Sequence, residues 1–134
     1  MRIAFPSIAC FLVSMAFAGG VLAENRWIHV KGGSWHPTAT VMNDVKTALE
    51  PYIKEQAKIR ERKLRNWGEY IFQYQGGEEK GRRYLFINAL CRPDPRWKLE
   101  DDFQMVFDGG SCYFHLEYDP TRREFHGLII NGDA

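Results

Sequence analysis

The sequence has little cysteine and no excess charge of either sign: 3 cysteines, 18 Lys+Arg and 17 Asp+Glu in 134 residues. The balance argues against a dedicated nucleic-acid binder, which carries a basic excess to meet phosphates. There is no C-x-x-C, so a thioredoxin-like redox role is unsupported. No phosphate-cradling glycine loop and no G-x-S-x-G turn occurs. Asp101, Asp102 and Asp108 do not alternate as calcium ligands do. Two cysteines without a close histidine make a poor zinc site, because zinc takes four ligands at short spacings. These absences leave no catalytic set, no metal and no cofactor to expect.

Only one stretch approaches membrane length, and it begins the chain. Met1-Arg2 supplies a positive charge, Ile3 to Val21 is almost wholly apolar or small, and Val21-Leu22-Ala23 offers short side chains before Glu24-Asn25. That is the pattern of a cleavable export signal over residues 1–23. Gly19-Gly20 and the Ala23 exit favour cleavage over a transmembrane anchor. The expected mature chain is one domain over 24–134, periplasmic or secreted, with no membrane association after cleavage. Losing Arg2 leaves it with 17 basic and 17 acidic residues, and 16 of the 19 aromatics remain to fill a core.

Cys10 leaves with the signal. Cys91 and Cys112 remain, and an even pair in an exported chain is most simply a disulfide.

Arg26 to Val30 alternates as a short strand before Gly32-Gly33. Met42, Val45, Leu49, Ile53, Ala57, Arg60 and Leu64 recur at spacings of three and four, which predicts a long helix from about Thr40 to Leu64. Thr38 or Thr40 would cap it, and Pro51 would kink it near Glu50. Its basic second half is expected to be a solvated face.

Beyond Trp67-Gly68 the period falls to two. Tyr70–Tyr74, Arg82–Cys91, Phe103–Phe107, Cys112–Tyr118 and Phe125–Ile130 are the expected strands, with turns at Gly76–Gly81, Asp108–Gly110 and Asp119–Arg123. The fold class is therefore α+β, one long helix on an antiparallel sheet of about five strands. For the cysteines to bond, the Arg92–Asp102 loop must carry the chain back, so that their strand ends become antiparallel neighbours.

Both sheet faces carry apolar side chains, more than one helix covers. Tyr70, Phe72 and Tyr74 share one face of their strand, and Tyr84 and Phe86 one face of the next. Either the N-terminal segment with Trp27, Ile28, Val30 and Trp35 folds over the second face, or that face meets a ligand, a partner or a second copy. Tryptophans anchor partners in recognition proteins, and Trp35, Trp67 and Trp97 sit at element junctions, Trp97 in a proline-rich loop. Trp35, Tyr70, Phe72, Tyr74, Tyr84, Phe86 and Trp97 are accordingly the candidate partner-binding residues. If the Asp119–Arg123 turn leaves four residues between Asp119 and Glu124, Glu117 faces His126 and His115 faces Leu128. Such a cross-strand Glu–His pair is more often a surface pair than a base.

The order of elements resembles the cystatin-like architecture: a short strand, a long helix, then an antiparallel sheet across it. Cystatins inhibit cysteine proteases with a Q-x-V-x-G loop. Gln73-Tyr74-Gln75-Gly76-Gly77 has the Gln and the final Gly, with Gln75 where the valine belongs. Val106 to Phe114, with Asn131-Gly132, also looks like small exported bacterial proteins of unassigned function, a likeness that implies a periplasmic location. The expected function is that of an exported, non-catalytic binding protein, with hydrolase inhibition as one form of it. A small-molecule pocket lined by Tyr70, Phe72, Tyr84 or Phe86, with His115 or Glu117 reaching in, and a homodimer are the alternatives.

Overall fold

A computed structural model describes residues 24–132. The expected export signal over 1–23 and the last two residues of the expected domain lie outside them. The elements run β1 Trp27–His29, α1 Ala39–Ile59, a 3-10 turn Trp67–Glu69, β2 Ile71–Glu79, β3 Arg82–Leu90, a second 3-10 turn Gly110–Cys112, β4 Tyr113–Asp119 and β5 Glu124–Ile130. The strands form one sheet in the order β1-β2-β3-β4-β5. The α+β architecture is the expected one, one helix on a five-stranded, mostly antiparallel sheet.

The fifth strand is not the one expected. β1 pairs in parallel with β2, Ile28 opposite Gln73, and α1 is the crossover that a parallel neighbour requires. Phe103–Phe107 is not a strand. β3 and β4 are direct antiparallel neighbours, Leu90 opposite Tyr113, because the chain between them leaves the sheet and returns.

Thr38 caps α1, its hydroxyl accepting from the Val41 amide at 3.2 Å. Met42, Val45, Leu49, Ile53 and Ala57 form its buried stripe. The helix continues through Pro51 without a break. The carbonyl that loses its donor there belongs to Thr47, an exposed residue like Pro51 itself, so the lost bond is on the solvent side of the helix and costs little. The helix stops at Ile59, short of the expected Leu64. Glu61 takes a left-handed φ of 54°, and Arg62 donates its amide to the Ala57 carbonyl at 2.8 Å, closing the last turn as a Schellman cap. The basic run beyond is an anchor in part: the guanidiniums of Arg60 and Arg62 donate to the carbonyls of Leu128 and Asn131.

The helix-facing side of the sheet is filled. Phe72, Leu85, Ile87, Ala89, Phe114 and Leu116 are each 0% exposed. Gly76 and Gly77 lie within β2, not in a turn. A Cβ on Gly76 would stand 2.3 Å from the Trp35 carbonyl oxygen, and one on Gly77 2.2 Å from the Tyr84 ring. The hairpin turns instead at Lys80-Gly81, both at positive φ (51° and 75°), as a two-residue type I′ loop requires.

Candidate functional site

The second face of the sheet presents Ile28 of β1, Gln73 of β2, Asn88 and Leu90 of β3, and Tyr113 and His115 of β4. The N-terminal segment does not fold over this face, because it is used up as an edge strand. The segment that leaves the sheet after β3 covers it. Leu99 packs there with Ile28 and Leu90, flanked by Ile71 and Tyr113, and Phe103 sets its ring edge-on to Phe86 at 5.0 Å.

Three amides hold that segment down. Gln73 Nε2 donates to the carbonyls of Leu99 (2.9 Å) and Asp102 (2.8 Å), while its Oε1 accepts from Asn88 Nδ2 (3.0 Å) and the Gln104 amide (3.0 Å). Asn88 Nδ2 also donates to the Gln104 carbonyl at 3.0 Å, and Gln104 Oε1 accepts from the Asp94 amide at 3.0 Å. Gln73, Asn88 and Gln104 are 0, 4 and 7% exposed, so this network replaces water for every group it pairs. The expected Gln73–Gly77 inhibitory loop is therefore strand, with its glutamine spent inside the fold.

The two ends of the segment are tied as well. Cys91 and Cys112 form a disulfide with Cα atoms 5.0 Å apart, and the Cys91 amide donates to the Cys112 carbonyl at 3.0 Å. This is the expected pairing of neighbouring strand ends. Asn131, 6% exposed, donates through Nδ2 to the carbonyls of both Val106 and Asp108. The Gly110 amide donates to the Gly132 carbonyl at 3.0 Å, which brings Asn131-Gly132 against the Val106–Phe114 stretch. Asp94 and Arg96 pair at 2.9 Å, and hydrogen bonding from the Arg96 side chain holds the Asp94 carboxyl down to about 2.

Between the two carbonyls held by Asn131 lies Phe107, 94% exposed. Trp97 and Met105 in the same segment are 44% and 40% exposed. The result is a clamped loop, Arg92–Ser111, that presents a phenyl ring to solvent. Sequence pattern places Phe107 at the end of a strand; its fixed exposure depends on Asn131, which is distant in sequence.

The structure separates the candidate partner-binding residues. Tyr70 and Phe72 are core, 1% and 0% exposed, so neither reaches a partner in the folded chain. The Tyr70 hydroxyl donates to the Ser111 carbonyl at 2.5 Å, and burial raises its pKa. Tyr74 is half-buried on the helix side. Trp35 closes the sheet edge, its indole N–H donating to the carbonyls of Gly77 (2.8 Å) and Tyr84 (3.2 Å), with the Arg83 guanidinium over its ring at 5.6 Å. Tyr84 and Phe86 are half-buried on the second face. Tyr70 and Phe72 thus lie across the sheet from Tyr84 and Phe86, and the four do not line one cavity. Trp97 alone of the seven belongs to the clamped loop.

The histidines follow the strand register. Glu117 faces His126, with Oε2 3.7 Å from Nδ1. A bulge between His115 and Glu117 shifts His115 opposite Ile129, not the expected Leu128. Gly127, at φ 68°, lies on the partner strand there. Burial lowers the His115 pKa, and its ring lies 5.8 Å from Phe86. Around the Glu117–His126 pair, with Arg82, Tyr84 and Asp119, opens a shallow charged recess of about 270 Å³. Among the described residues no group of three or more His, Cys, Asp or Glu is placed to hold a metal, and no helix is long and apolar enough to cross a membrane.

Comparison with known proteins found no matching family model, no matching curated protein and no matching solved structure.

Proposed function

We propose that the protein is an exported, non-catalytic binding protein, periplasmic or secreted, whose recognition element is the loop Arg92–Ser111. One observation carries this reading: Phe107 is 94% exposed although the carbonyls on both sides of it are held by a buried amide. A free loop would turn such a ring inward, since burying a phenylalanine side chain gains about 2 kcal/mol. Here the backbone forbids that, and the gain is deferred to a partner. A loop fixed in its bound shape also loses little entropy on association.

The chemistry of the partner is an apolar pocket wide enough for a phenyl ring. Where that pocket is a catalytic cleft, the activity is inhibition of a hydrolase. The surface used is the loop and not the sheet, because the loop itself covers the apolar second face.

Affinity capture from periplasmic extract, with Phe107→Ser beside the parent protein, tests the reading. Phe107→Ser should weaken capture at least about tenfold, as loss of an interface anchor does, with an unchanged melting temperature. Equal capture by both proteins would remove Phe107 from the interface. Light scattering at two concentrations separates a foreign partner from a second copy of the chain.

A further inference from the structure

A larger cleft, of about 700 Å³, opens on the helix side of the sheet, away from the clamped loop. Its floor includes the indoles of Trp27 and Trp67, and its wall is the face of α1 that carries Asn43, Lys46, Thr47 and Glu50. Both indoles are half-buried. Trp27 stacks on Phe72 with centroids 4.5 Å apart, and Trp67 lies 5.4 Å from the same ring, so the core fixes the position of both. Asn43 and Thr47 are one helical turn apart and exposed, which gives the wall a carboxamide and a hydroxyl facing the same way.

The charges around the cleft cancel. Glu50 is paired with Lys54 at 2.8 Å, and the other two charged residues of the lining are of opposite sign, Glu24 and Lys46, the latter with its ammonium 5.9 Å over the Trp27 ring. The lining therefore carries no net charge that would select an anion or a cation. A wholly apolar ligand would leave the wall's hydrogen-bonding groups dry and unpaired, which is unfavourable for each one. A pyranose ring matches both surfaces, with an apolar C–H face for an indole and hydroxyls at its edge for carboxamide, hydroxyl, carboxylate and ammonium. The volume lies within the range of small-molecule sites. We infer that this cleft is a binding site for a neutral saccharide, seated against the Trp67 indole beside Trp27, whose ring lies between Phe72 and the Lys46 ammonium, and hydrogen-bonded along the Asn43–Thr47 wall. The inference does not depend on the Phe107 loop.

The four tryptophan indole N–H signals in a nitrogen-15 correlation spectrum report on the cleft directly, because Trp27 and Trp67 line it whereas Trp35 and Trp97 do not. Cellotriose, chitotriose and, separately, choline chloride are titrated to about 10 mM, a range that detects weak binding. The expected result is that at least one trisaccharide moves the Trp27 and Trp67 signals saturably and leaves those of Trp35 and Trp97 in place. Asn43→Ala and Thr47→Ala, both exposed on the helix, should each weaken that response about fivefold, the loss of one hydrogen bond, with unchanged melting temperature. The inference is overturned if neither trisaccharide moves these two signals, if all four move together, if either variant binds as the parent does, or if choline moves them as strongly as the sugars.

Discussion

Replacing Cys91 and Cys112 with alanine is expected to lower the unfolding free energy by about 3 kcal/mol, the chain-entropy value for a loop of 21 residues. In a domain of this size that lowers the melting temperature by more than about 10 °C. The strand ladder does not require the bond, since Leu90 pairs with Tyr113 and the Cys91 amide with the Cys112 carbonyl. The double variant should therefore still fold. Urea denaturation of parent and variant should show a lower midpoint with a similar slope. A loss below about 1 kcal/mol would mean that the reduced, unfolded chain already keeps the two cysteines near one another.

The second large effect is expected at Gln73. Gln73→Leu keeps the volume but leaves the Gln104 amide and the Leu99 carbonyl without their partner, and Asn88 and the Asp102 carbonyl with one bond fewer, the latter keeping the Trp97 indole N–H at 3.3 Å. Gln104 and Leu99 are 7% and 8% exposed, so little water reaches the orphaned groups. A cost of about 3 kcal/mol follows from two such groups. Gln75→Leu, two residues along the same face, is the control. Its Nε2 donates to the Lys31 carbonyl at 2.7 Å at an exposed site, and the change should cost less than about 1 kcal/mol. Similar losses from the two substitutions, measured by the same denaturation, would mean that the buried network contributes no more than a surface bond.

The parts legible in the sequence are those with a local period. The stripe from Met42 to Ala57 gives α1, and alternation gives β3, β4 and β5 to within a residue or so. The end of the helix was hidden because Glu61 adopts the left-handed position usually marked by glycine. Gly76-Gly77 suggests a turn, yet those glycines admit Trp35 and Tyr84 against a continuous strand. Phe103, Met105 and Phe107 alternate as a strand does, but the residue that turns inward between them is Gln104, 31 positions from the Gln73 side chain that accepts its amide. A buried polar network of this kind has no local signature, since each glutamine or asparagine alone reads as a surface residue. For the same reason Trp97 was legible as a loop aromatic, whereas the clamped exposure of Phe107 required Asn131 from the far end of the chain.

All of this rests on Arg92–Ser111 being a fixed second layer over the sheet, and amide hydrogen exchange at Gln104 measures that most directly. Its N–H is buried against Gln73 Oε1 and belongs to no helix or strand. Protection comparable to that of the Cys91 amide, which bonds across the sheet to Cys112, is the predicted result. Exchange at the rate of an unstructured peptide, while the strand amides stay protected, would contradict it.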